Sequence, residues 1–213
     1  MERRFYEVSE LRAADGEGGG PGKIEGYAAV FDSLSVEMWG FRERIAPGSF
    51  ASSIEQDDIR ALWQHDTSAV LGRTKAQTMR MIEDDIGLRV SIDAPDTQIG
   101  RDAVTSIRRG DVDQMSFGFE VLDSEWDQDD DGVLIRTLFK VKLYEVSPVT
   151  FPAYANTAVS VRSGNDPVYG IIPEIPAGVR GATATADDDG DLLRAQMSKK
   201  TRERILSILR SYQ

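Results

Sequence analysis

The sequence predicts a mainly β domain with flanking helices, an α+β arrangement followed by a tail. Three observations carry this. Short apolar runs of strand character recur between turn residues up to about residue 146. Within that span the best-supported helical period is a single segment, residues 97–109. Beyond residue 161 the composition shifts to Gly, Pro, Ala, Thr and Asp without core periodicity. The chain has 213 residues and 40% hydrophobic content, enough for one substantial core. The predicted organisation is a domain over 1–161, a flexible linker over 162–190 and a C-terminal amphipathic helix over 191–213.

Taken in order, residues 3–8 alternate weakly and read as a strand, and the Gly-rich acidic stretch 13–22 reads as a flexible loop. Residues 24–31 (IEGYAAVF) and 59–63 (IRALW) have strand character, and Pro47, Gly48, Ser49 and Phe50 between them open a short helical segment. His65 follows the second of these strands directly. Residues 77–82 and 88–92 flank the turn formers Glu83, Asp84 and Asp85 and read as a hairpin. In 97–109, Ile99, Ala103, Val104 and Ile107 recur at three- and four-residue spacing, and Gly110 stands where a helix stops. Residues 114–122 (QMSFGFEVL) alternate, with Met115, Phe117, Phe119 and Val121 on one face and Ser116, Gly118 and Glu120 on the other. After the acidic turn 127–132, the run 133–146 places Phe139, Val141, Leu143 and Glu145 on one face, and Pro148 and Pro152 are expected to end its pairing. In 192–212, Leu193, Met197, Ile205, Ile208 and Leu209 mark an apolar helical face, with Lys199, Lys200, Arg202 and Arg204 on the wetter side. No internal repeat of solenoid length is present.

Composition narrows the function. The 25 basic and 36 acidic residues give a formal charge of −11, which repels a phosphate backbone and argues against nucleic-acid binding. No apolar run approaches the roughly 20 residues of a membrane span, and the first residues lack a secretory pattern, so a soluble, cytoplasmic protein is expected. The chain has no cysteine, so disulfides, thiolate metal sites and a cysteine nucleophile are excluded. No cofactor and no metal is expected.

With one histidine, any imidazole general base is His65. Ser116 is a candidate nucleophile, because Gly118 beside it lets a substrate backbone approach closely; a serine on the wet side of a half-buried sheet fits the same pattern. Glu145, at the end of an apolar strand, is placed to orient an imidazole or is a strand-end charge. Asp66 is a rival orienter, disfavoured because neighbouring side chains on an extended backbone point to opposite faces.

Five blocks in order, GYAAVFDS at 26–33, IAPGSF at 45–50, LWQHD at 62–66, MSFGF at 115–119 and YEVSPVTFPA at 144–153, resemble the prohead maturation proteases of tailed phages. The resemblance covers about residues 24–161. It implies a serine endopeptidase with a compact β-barrel similar to that of herpesvirus capsid-maturation proteases. It implies His65 as general base and Ser116 as nucleophile. The herpesvirus enzymes use a second histidine as third member; this chain has none, and Glu145 is assigned to that place. Backbone N–H groups near Gly118 or a nearby arginine are the candidate oxyanion donors. The implied partners are the major capsid protein and scaffold segment as substrates, the chain's own C-terminal tail, and by analogy a second copy in a homodimer. The implied location is the host cytoplasm, packaged inside the immature capsid.

Two rival readings follow from other features. Asp127, Asp129, Asp131 and Gly132 fit the first half of an EF-hand calcium loop, but Leu138 stands where its last carboxylate is needed. A catalytically inactive capsid-assembly or scaffold interaction protein, binding through the C-terminal helix, is the alternative to an enzyme.

Overall fold

The computed structural model describes residues 1–6, 11–14, 22–35, 37, 40–129, 131–150, 165–166, 170–171, 173 and 175. It is mostly β, with a curled half-barrel sheet and few helices. The elements are β1 (Glu2–Tyr6), β2 (Arg12–Ala14), β3 (Lys23–Val30), β4 (Phe41–Ile45), α1 (Ala51–Gln56), β5 (Arg60–Trp63), β6 (Asp66–Arg73), β7 (Met79–Glu83), β8 (Gly87–Asp93), α2 (Gln98–Arg109), β9 (Gln114–Gln128), β10 (Leu134–Val149), β11 (Asn165–Asp166) and β12 (Gly170–Ile171). The larger sheet runs β11-β12-β1-β9-β10-β5-β6, with β4 also on β10; the smaller runs β2-β3-β8-β7.

The expected strands, the hairpin and the helix form near their predicted places. Thr97 caps α2 by accepting from the Gly100 N–H at 3.2 Å, and Gly110 ends it in the left-handed conformation that glycine adopts without a Cβ clash. Ala103, Val104 and Ile107 are the buried stripe of α2, as their spacing requires. They join one core cluster with Ile24, Leu88, Val90 and Ile92 of the smaller sheet and Met115, Phe117, Phe119, Val141 and Val146 of the larger. Phe117 packs edge-on to Phe50 at 5.6 Å between ring centroids.

Among the strands that were not expected are β4 and β6. β4 carries Arg42, Glu43 and Arg44, charges that belong to no apolar run, yet Glu43 and Arg44 are buried. Distant partners meet both: Arg4 Nε donates to Glu43 at 2.7 Å, Arg136 lies 3.4 Å from the same carboxylate, and Arg44 Nη2 donates to Thr137 Oγ1 at 3.3 Å. β6 follows β5 through a turn at Gln64 and His65, both with positive φ, 55° and 60°. Such a two-residue turn normally advertises itself with Asn or Gly, which are missing here.

β10 lies along one edge of β9 and carries both β4 and β5 on its other edge, each parallel to it. Between them the chain before and within α1 takes over that edge: Ala46 N–H donates to Leu138 O, Val141 N–H to Ser49 O, and Leu143 N–H to Ser53 Oγ. Two expectations need correction. β10 runs on through Pro148, whose carbonyl accepts from the Gln64 N–H at 3.2 Å; Pro152 lies outside the described residues. And the simple alternation of 133–146 fails, because a bulge inserts one residue between Leu143, opposite Phe119, and Glu145, opposite Gly118. Glu145 is thereby turned off the core face.

The expected loop 13–22 contributes Ala13 and Ala14 to β2, and residues 15–21 lie outside the description. Of the expected linker 162–190, four residues form β11 and β12; the rest, apart from residues 173 and 175, and the expected helix over 191–213 lie outside the described residues. In the acidic turn, Asp129 Oδ1 accepts from the N–H groups of Asp131 and Val133, closing the hairpin between β9 and β10. Among the described residues no helix is long and apolar enough to cross a membrane.

Replacing Phe117, fully buried against Phe50 and Phe119, by alanine should cost about 3–5 kcal/mol of stability in urea unfolding. Glu83 offers a pH test. Burial pushes its pKa above the ordinary glutamate value, while N–H groups of Phe50 and Gly48 pull it back. The folded chain then binds this proton more tightly than the unfolded chain, so stability is lost as pH rises through the glutamate range. Glu83→Gln removes that loss: its urea midpoint relative to wild type should rise between about pH 4 and about pH 7.

Candidate active site

His65 occupies the second position of the β5–β6 turn, in a left-handed conformation that costs a non-glycine residue roughly 1 kcal/mol. The turn is held in place from the end of β10. Besides the Gln64–Pro148 contact, Gln64 Nε2 donates to Thr150 Oγ1 at 2.7 Å, and the Thr150 N–H donates to Gln64 Oε1 at 3.1 Å. The His65 N–H donates to Ser147 Oγ at 3.3 Å.

The His65 side chain meets Glu145: Nδ1 lies 2.7 Å from Oε1, with the imidazole 18% and the carboxylate 6% exposed. The second carboxylate oxygen accepts from Ser147 Oγ at 2.5 Å. Ser147 is fully buried and therefore serves both partners at once. Sequence reasoning passed it over; the available signal was its place two residues from Glu145 on one strand, which puts both side chains on the same face.

Ser116 lies opposite Ser147, and Gly118 opposite Glu145, in the β9–β10 ladder. Opposed residues share a face at roughly 5 Å between Cα atoms, so Ser116 stands one strand from the group that holds His65. The structure thus gathers His65, Glu145 and Ser116 on one face, with His65 and Glu145 in contact. Among the described residues Ser116 makes no hydrogen bond to His65. It is 2% exposed, and its hydroxyl donates to the Arg4 carbonyl of β1 at 2.9 Å. Asp66, the rival orienter, is exposed and accepts from the N–H and hydroxyl of Ser68 instead.

Gly118 leaves room that the Glu145 and Met1 side-chain ends occupy. A Cβ there would lie 2.6 Å from Glu145 Oε1 and 2.9 Å from Met1 Sδ. The bulge, the glycine and the turn all serve one placement, an imidazole and a carboxylate facing a serine strand.

This is a mainly β protein in which a histidine–carboxylate pair stands beside a serine on the next strand. A family model, that of the caudovirus prohead serine proteases, matches residues 7–167, and the chain belongs to that family. No curated protein and no solved structure matches it.

Gly118→Ala should push the carboxylate away from the ring while leaving the sheet intact. Because His65 is the sole histidine, the proton NMR spectrum holds one imidazole N–H signal to follow; it should be seen in wild type and be lost in Gly118→Ala at unchanged far-UV circular dichroism.

Proposed function

We propose that this chain is the endopeptidase of prohead maturation, with Ser116 as nucleophile, His65 as general base and Glu145 as the group that orients it. The observation that carries the reading is the buried Glu145 carboxylate on Nδ1 of the only histidine, on the face shared with Ser116. A carboxylate on Nδ1 holds the hydrogen there and leaves Nε2 as the basic nitrogen.

Nε2 takes the Ser116 proton as Oγ bonds to the scissile carbonyl carbon, and the carbonyl electron pair moves to its oxygen. Collapse of this intermediate breaks the C–N bond, and the imidazolium gives its proton to the leaving amine. Water then attacks the acyl-enzyme by the same proton path, releasing the acid and restoring Ser116. The substrates on this reading are scaffold or the scaffolding segment of the major capsid protein, met inside the immature shell in the host cytoplasm. The chain's own C-terminal region is a further substrate on this reading, because its Gly-, Pro-, Ala-, Thr- and Asp-rich composition lacks the periodicity of a core element. The catalytic unit is then residues 1–161, with 162–190 as linker and 191–213 as a removable helix.

Ser116→Ala and His65→Ala should each lower cleavage of the cognate capsid or scaffold protein by at least about a thousandfold. Ser147→Ala, which deprives the buried carboxylate of one donor, should lower kcat about ten- to a hundredfold with little change in KM. Intact-mass analysis of wild type beside the first two variants is the simplest check. Loss of a C-terminal fragment in wild type alone supports the reading; three intact chains that also leave the capsid protein uncut replace it with a non-enzymatic assembly role.

A further inference from the structure

The strand that bears Ser116 has two edges, and neither is open. β10 covers one, and β1 covers the other, with Arg3 opposite Gly118, Arg4 opposite Phe117 and Phe5 opposite Ser116. β1 lays an extended backbone antiparallel to the serine strand and sets the Arg4 carbonyl 2.9 Å from the Ser116 hydroxyl. Met1 Sδ closes over Gly118, on the side where Glu145 Oε1 reaches in. An extended peptide presented to Ser116 needs the same edge, because strand addition through main-chain hydrogen bonds is how a sheet edge receives a peptide.

We propose that β1 is an internal occupant of the substrate-binding edge, and that a substrate strand is cleaved only after displacing residues 1–6 from β9. This rests on the protease reading above and adds its restraint. The family match begins at residue 7, so β1 lies outside the matched residues while the Ser116 strand lies within them.

The attachment of β1 is specific yet separable. Arg4 pairs with Glu43 at 2.7 Å and with Glu2 at 2.6 Å, and Arg136 with Glu2 at 3.1 Å. All four side chains are buried or nearly so, and stranding one buried charge alone is the costly event. Removal of β1 takes Glu2 and Arg4 away together and leaves Glu43 facing Arg136 at 3.4 Å. The body of the domain keeps a neutral pair. On the outer side β12 holds β1 by a single register pair, Glu2 with Gly170.

A tethered strand competes at an effective concentration of about millimolar, which dilute peptides do not match. Only substrate concentrated locally to that range competes with it. β1 thereby makes cleavage sensitive to the local concentration of peptide strands rather than to affinity alone.

The test compares the full chain with one lacking residues 2–6, using a small fluorophosphonate and intact mass to follow the Ser116 adduct. The shortened chain should label at least tenfold faster, a synthetic peptide of residues 1–6 at millimolar concentration should slow it again, and Ser116→Ala should abolish labelling in both. Equal rates in two cooperatively folded chains overturn the proposal while leaving the protease reading intact. Should the shortened chain fail to fold, hydrogen exchange on the full chain decides. Phosphonylation of Ser116 should strip protection from residues 2–6 and leave the hairpin of residues 79–93 unchanged; retained protection overturns the proposal. Absence of any Ser116-dependent labelling or cleavage in either chain removes the protease reading, and the inference with it.

Discussion

The ladder between β9 and β10 is the constraint on which the rest of the structure depends. Its two strands, 15 and 16 residues long, pair from Gln114 with Val149 to Gln128 with Leu134. The core face is set by Phe117, Phe119, Val141, Leu143 and Val146, which alternation alone could not supply beyond Leu143. The inserted residue before Glu145 solves a conflict of faces. Val146 returns to the core opposite Phe117, and Glu145 and Ser147 pass to the far side opposite Gly118 and Ser116. Without that bulge the carboxylate would sit among phenylalanines, where an unpaired charge is untenable. One local irregularity thus decides both the packing and the site.

A second polar set, Glu2, Arg4, Glu43 and Arg136, ties β1 and β4 to the same ladder. Burial pushes the Glu2 pKa up, and the nearby Arg4 and Arg136 guanidinium groups oppose it. Such buried clusters add little net stability compared with apolar packing, and they are specific, because every member requires the others. Arg4 also lies over the Phe119 ring and Arg136 over Trp126, so the guanidinium planes fill core volume as well as pairing charge.

How much of this the sequence discloses depends on whether the determinant is local. The helix over 97–109 was legible because its cap, its stripe and its stop lie within one segment. The face of Ser116 was legible from strict alternation over 115–121, and His65 from being the only imidazole. β4 was not legible, since its buried Glu43 is met by residues 39 and 93 positions away. β6 was hidden by a turn made from Gln and His, whose strain is offset by the hold of Thr150, Pro148 and Ser147 on it. Glu145 was legible as a residue and misplaced as a face, because a bulge leaves no mark in a pattern of apolar positions. The burial of Ser116 beneath β1 was invisible for the same reason as β4: it is a pairing across more than a hundred residues.

The choice of a carboxylate beside the histidine follows from how its lone pairs are filled. An ionised carboxylate only accepts, so a buried one needs a donor on each oxygen. His65 Nδ1–H reaches Oε1 and the Ser147 hydroxyl reaches Oε2; the same hydroxyl oxygen then accepts from the His65 backbone N–H. The chain of hydrogen bonds leaves His65 and returns to it. Each bond fixes the direction of the next, so the hydrogen on Nδ1 is held by the whole cycle rather than by one contact. A second histidine in place of Glu145 would have to present an acceptor nitrogen to Nδ1–H, and only one tautomer does so. The carboxylate has no tautomer to choose, and within this sheet its requirement reduces to one nearby hydroxyl, which Ser147 meets from the adjacent position on the same face.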